Sequence, residues 1–163
     1  WESLRQWGGY GAGTSLRGVG YSDRDGNGID ERGEFRQGVL SGEWTAGAIL
    51  AVRELQRHYA GDPDRLAALR ADEQGLLAGL LSMRYDQYLL ERFPGKPSRY
   101  TELVKPRGKP YLYASRRHFI PFGWYANPLP STASTSWAIF VENRFNPFHH
   151  GGLPDFRSPA HKE

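Results

Sequence analysis

The sequence predicts a mainly α fold of antiparallel helical hairpins joined by long loops rich in aromatic residues, Gly and Pro. Three observations carry that expectation. Apolar residues recur at helical spacing over residues 41–59 and again over residues 62–81. Only two or three residues link these two periodic stretches, which makes neighbouring helices antiparallel. The chain also holds 20 Gly, 11 Pro and 13% aromatic residues, a composition of many fixed turns.

Taken in order, residues 1–22 are dense in glycine and show no helical period; such stretches turn tightly or bring backbone close to other groups. Residues 41–59 read as a helix. Ser41 is its N-cap, Glu43 suits the positive end of the helix dipole, and Ala48, Ile49, Val52, Leu55 and Tyr59 recur along it. Asp62-Pro63 opens the next helix, whose apolar residues are Leu66, Leu69, Leu76, Leu77, Leu80 and Leu81. A further helical turn is expected around Tyr85–Phe93, and residues 94–110 read as a loop. Residues 111–122 are aromatic and β-prone, fitting a short strand pair or an extended segment. Asn127-Pro128 and Leu129-Pro130 fix an extended approach to a helix capped by Ser131 and ending near Asn143, with Trp137, Phe140 and Val141 facing inward. Residues 146–163 read as an irregular tail of a single domain, or of a fragment of a larger one. Gly47-Ala48-Ile49 and Trp137-Ala138-Ile139 echo each other, each in a helix that follows a polar, small-residue stretch.

Composition narrows the function classes. The net charge of +3 comes from interspersed acids and bases with no basic stripe, so nucleic acid is not the expected partner. There is no run of about 18 apolar residues, so no membrane span is expected. The absence of Cys excludes disulfides and thiolate metal sites. The first residue is Trp1, which points to a processed form or a piece of a longer chain.

Residues 23–34 satisfy D-x-[DN]-x-[DN]-G-x5-E. Calcium takes six to eight oxygens in a flexible shell. Asp23, Asp25 and Asn27 alternate around one tight curve, and Gly28 permits the turn. The Ile29 carbonyl, Glu31 and Glu34 complete the expected ligand set. Over these twelve residues the loop resembles those of EF-hand and dockerin proteins. It departs from them at Asp30, where an apolar residue is usual, and in its flanks, which lack the two long helices of a sensor. The resemblance implies a structural calcium staple. Because calcium is scarce in cytosol, it also implies a periplasmic or secreted location.

Two segments, Gly33–Leu55 and Tyr113–Phe148, resemble pieces of an (α/α) toroid, the ring of helical hairpins found in many glycosidases. Inner helices of such rings start at polar, aromatic loops on the active-site face. The resemblance implies a calcium-stabilised, carbohydrate-active protein, part of a glycoside hydrolase. Closing such a ring takes more chain than is present here, which implies a partner or the remainder of a longer chain. Glu43 is the candidate catalytic acid or base, since glycoside hydrolysis needs a carboxylate pair. Trp44, Trp124, Tyr125 and Asn127 are candidates for sugar binding, because flat rings stack on sugar faces and an amide bonds hydroxyls. Arg116, Arg117 and His118 form a basic cluster suited to an acidic sugar, a phosphate or a solvated strand edge, and His149-His150 is a metal candidate or part of the tail. The alternative is a non-catalytic, calcium-stapled binding or assembly subunit in which the aromatic loops are interface.

Overall fold

The computed structural model describes residues 1–85 and 109–148. Among these residues the order is α1 (Glu2–Gly8), β1 (Gly9–Ala12), β2 (Ser15–Val19), α2 (Gly42–His58), α3 (Pro63–Ser82), β3 (His118–Ile120), β4 (Trp124–Ala126) and α4 (Thr132–Glu142). Strands β1 and β2 pair antiparallel, as do β3 and β4, each pair forming a separate two-stranded sheet. The fold is therefore mixed rather than mainly α, which corrects the expectation from periodicity. Among the described residues, no helix is long and apolar enough to cross a membrane. Most of the residues expected to form a turn at 85–93, the 94–110 loop and most of the tail lie outside the described residues.

The three longer helices begin where their capping residues stand. The Ser41 hydroxyl accepts from the Trp44 N–H, the Asp62 carboxylate from Arg65 N–H and the Ser131 hydroxyl from Ser134 N–H. Each cap supplies one of the acceptors that a helix start otherwise lacks. Helix α2 buries Thr45, Ala46, Ala48, Ile49, Leu50 and Val52. Helix α3 folds back along it, and the pair is tied by Arg53 Nε to Glu73 Oε1 at 2.6 Å and Gln56 Nε2 to Glu73 Oε2 at 2.8 Å. Leu69, Leu76 and Leu80 of α3 are buried, while Leu77 and Leu81 of the same expected stripe remain exposed. The reason is that α3 meets a strand on its other side: Gly75 and Gly79 lie directly against the backbone carbonyls of Leu16 and Arg17 in β2. A glycine pair four residues apart clears one stripe of the helix, so that backbone can approach backbone.

Helix α1 has no sequence period because its anchor is polar and tertiary. Buried Asp72 on α3 accepts from Trp1 Nε1 at 2.7 Å and from the Arg5 guanidinium. The glycine-rich residues after it form the β1–β2 hairpin, with Gly9 and Gly11 pressed against the Phe35 side chain.

Helix α4 runs parallel to α2. The start of one meets the start of the other, with Gly42 against the Ser134 side chain. Further along, Arg53 Nη1 donates to the Val141 carbonyl at 2.8 Å and Asn146 Nδ2 to Glu54 Oε1 at 3.1 Å. Residues 111–115 strap the two starts together. On one side Ser131 N–H donates to the Tyr111 carbonyl and Tyr113 N–H to that of Leu129; on the other Gly42 N–H donates to Tyr113 and Ser115 N–H to Leu40. The echo between α2 and α4 holds for Ala48 and Ala138, which are both buried, but Ile49 is buried whereas Ile139 is exposed.

Candidate functional site

The strap leads into the β3–β4 hairpin and receives the chain back at Pro130. The hairpin base is seated by a small cluster of Val39, Ala114, Ile120 and Ala126, with Tyr21 and Tyr113 against it. Burial of Tyr21 raises its phenol well above the usual tyrosine range, and its hydroxyl donates to the Tyr113 carbonyl at 2.7 Å. The hairpin is therefore fixed to the end of the molecule at which α2 and α4 begin.

Several large rings are exposed at this end. Trp44, in the first turn of α2, is 58% exposed. On the hairpin, Phe122 is 70% and Trp124 48% exposed, and their rings stack with centroids 5.8 Å apart, leaving an open outer face on the pair. Tyr125 is differently placed. It is 50% exposed, but the Arg117 guanidinium lies 3.9 Å from its centroid and Phe119 meets it edge-on, so part of the ring is taken by cation–π and ring contacts. Asn127 uses its amide to donate to the Tyr125 carbonyl at 3.2 Å, a bond that shapes the turn. Glu43 is half-buried in the first turn of α2 and makes no side-chain hydrogen bond or ion pair among the described residues. Of the sequence candidates, the structure thus brings Glu43, Trp44, Trp124 and Tyr125 to one end with exposed surface, Tyr125 sharing its ring with Arg117 and Phe119, whereas the Asn127 amide is engaged by the Tyr125 carbonyl. The density of Phe119, Phe122 and Trp124 argues for their burial, yet all three are exposed, Phe122 beside Gly123 (φ +100°) at the hairpin turn. Arg116 and Arg117 are exposed, His118 points to the 23–34 loop, and His149-His150 lies outside the described residues.

The 23–34 loop sorts its oxygens into two groups. Asp25 and Asn27 are 1% and 5% exposed. Asp25 Oδ2 accepts from Ser22 N–H at 2.8 Å and from Tyr21 N–H, and Oδ1 accepts from the Ser22 hydroxyl and lies 3.2 Å from His118 Nε2. Asn27 Oδ1 accepts from Val39 N–H at 2.9 Å while Nδ2 donates to Val39 O at 2.8 Å and Gly8 O at 3.3 Å. Asp23, Glu31 and Glu34 lie at the surface, and Ile29 is bridged to Phe35. Asp30 closes that bridge by accepting from Glu34 and Arg32 N–H groups, and the first of these chiefly holds its carboxyl below the usual range. Among the described residues no three acidic or histidine side chains gather as a metal site. In this arrangement the two inner members of the expected calcium donor set are already engaged, Asn27 by backbone groups and Asp25 by the Tyr21 and Ser22 N–H groups, the Ser22 hydroxyl and His118.

Comparison of the chain with family models, with curated proteins and with solved structures found no match.

Proposed function

We propose that the end of the molecule where α2 and α4 begin is a glycan-binding face of a carbohydrate-active protein. The observation that carries this reading is the parallel course of α2 and α4, with strapped starts that present Trp44, Phe122 and Trp124 to solvent. Parallel inner helices opening onto one aromatic face are the arrangement that the toroid resemblance implies. Exposed rings at a concave or stepped surface bind sugar faces by apolar and CH–π contact. Glu43 stands in the same first turn as Trp44 and is free to hydrogen-bond a sugar hydroxyl or to move a proton. Hydrolysis needs a second carboxylate opposite the first, and that residue would come from the remainder of a ring.

Affinity electrophoresis of the parent against neutral and acidic soluble polysaccharides tests the reading. Retardation that falls at least tenfold in Trp44→Ala and in Trp124→Ala, with folding intact, is the expected result; unchanged migration of the parent in every polysaccharide contradicts it. Glu43→Gln separates binding from turnover, since it leaves the rings in place and removes the proton.

A second reading draws on Ile139 of α4 and Phe148 in the segment that follows it, which are exposed. Apolar rings and chains left open there favour a surface covered by further protein, as in an assembly subunit. Co-purification with a stable partner and no response to Glu43→Gln distinguish that case.

A further inference from the structure

We propose that the 23–34 loop is a metal-independent clasp, in which Asp25 and Asn27 replace the ion that the motif would otherwise bind. The argument starts from where their polar atoms go. The Asn27 amide accepts from the Val39 N–H at 2.9 Å and donates to the Val39 carbonyl at 2.8 Å, like a residue pair in a sheet. The third Asn27 bond, to the Gly8 carbonyl, adds the end of α1. Two of the three partners are carbonyl oxygens, so the side chain must donate as well as accept. A carboxylate cannot donate.

Asp25 performs the complementary task. Its oxygens collect the N–H groups of Tyr21 and Ser22, which follow β2 with no strand partner, and they face His118 on β3. The backbone closes tightly around both side chains. A Cβ at Gly38 would overlap Asn27 Oδ1 and the Asp25 carbonyl, and one at Gly20 would overlap Asn27 Nδ2. Backbone thus encloses the two side chains on the Gly20 and Gly38 sides, while Asp23, Glu31 and Glu34 stay at the surface. The clasp instead joins four places: the end of α1, the chain after β2, Val39 just before the Ser41 cap, and the base of the aromatic hairpin. Its effect is to fix the start of α2 relative to β3, independently of whether that end binds glycan.

One substitution separates clasp from ion site with opposite expectations. The calcium motif accepts Asp or Asn at position 27, so Asn27→Asp leaves an ion site intact. In the clasp it places a carboxylate against two carbonyl oxygens in a buried position. Thermal melting is measured for the parent, Asn27→Asp and the double variant Asp23→Ala/Glu34→Ala, each with chelator and with excess CaCl2. The clasp predicts a parent Tm that ignores both additions and a double variant that melts with the parent. It also predicts that Asn27→Asp melts lower by about 5–15 °C, or fails to fold, whether or not CaCl2 is present. A parent Tm that rises with CaCl2 and loses that rise in the double variant overturns the proposal. So does an Asn27→Asp protein that melts with the parent. The parent titration needs no variant to fold.

Discussion

Alanine placed at two glycines should change stability in opposite directions, and the structure supplies the sizes. Gly47 and Gly79 both sit inside long helices, α2 and α3. Replacing Gly by Ala within a helix is worth about 1 kcal/mol from backbone entropy alone, the same at either site. A Cβ at Gly47 meets nothing within 4 Å. Gly47→Ala should therefore stabilise by about 1 kcal/mol, a rise in Tm of about 2–4 °C for a chain of this size. A Cβ at Gly79 runs into the Arg17 carbonyl group, overlapping the oxygen and standing 2.7 Å from the carbon. That oxygen is backbone of β2, at the irregularity in its register with β1, so it cannot rotate away like the end of a flexible side chain. Forcing the helix and strand apart costs about 1–3 kcal/mol by overpacking, and more where the obstacle is backbone. Gly79→Ala should come out destabilised by about 1–2 kcal/mol after the helix gain is included. The two variants should differ by about 2–3 kcal/mol in urea unfolding. A Gly79→Ala protein as stable as Gly47→Ala would refute the close crossing of α3 over β2.

Two further outcomes follow from buried polar groups. Asp72→Ala leaves Trp1 Nε1 and the Arg5 guanidinium without their acceptor. It should destabilise by about 2–3 kcal/mol in urea unfolding, less than a fully buried pair because Arg5 keeps some water contact, and should open residues 1–8 to limited proteolysis. Tyr21 carries a phenol whose folded pKa is raised by burial above the value near 10 of an exposed tyrosine. Its contribution is intact below that unfolded value and is lost as pH rises toward the folded one, because only the unfolded chain then releases the proton. Stability measured from pH 8 to 11 should accordingly fall less steeply above about pH 10 in Tyr21→Phe than in the parent.

What could be read in the sequence was what local chemistry decides. Ser41, Asp62 and Ser131 cap the helices they were expected to cap, and the Asp62-Pro63 link makes the antiparallel pair. The Asn127–Pro130 stretch leads into α4 as its prolines require. What could not be read depends on residues far apart in the chain. Helix α1 is held by an aspartate 67 residues beyond Arg5, and nothing in the spacing of residues 1–8 reveals it. Gly75 and Gly79 interrupt an apolar helix for the sake of a strand that the same sequence window does not contain. The site divides in the same way. Trp44 and Glu43 are placed by a helix start that the cap announces, but Tyr125 meets the Arg117 guanidinium, a pairing set by strand register. In the 23–34 loop the spacing of the acids matches an ion site, while Val39, twelve residues beyond Asn27, claims the amide.

The most direct test of the aromatic face is an NMR titration that follows the five Trp indole N–H signals as an oligosaccharide is added. The account predicts that Trp44 and Trp124 shift together and saturably. Trp7, the most exposed at 63%, sits on α1 and should stay in place, as should Trp1 on Asp72 and Trp137 beside Phe148. Movement of Trp7 in step with Trp44, or no saturable shift of Trp44 and Trp124 with any oligosaccharide, would contradict it.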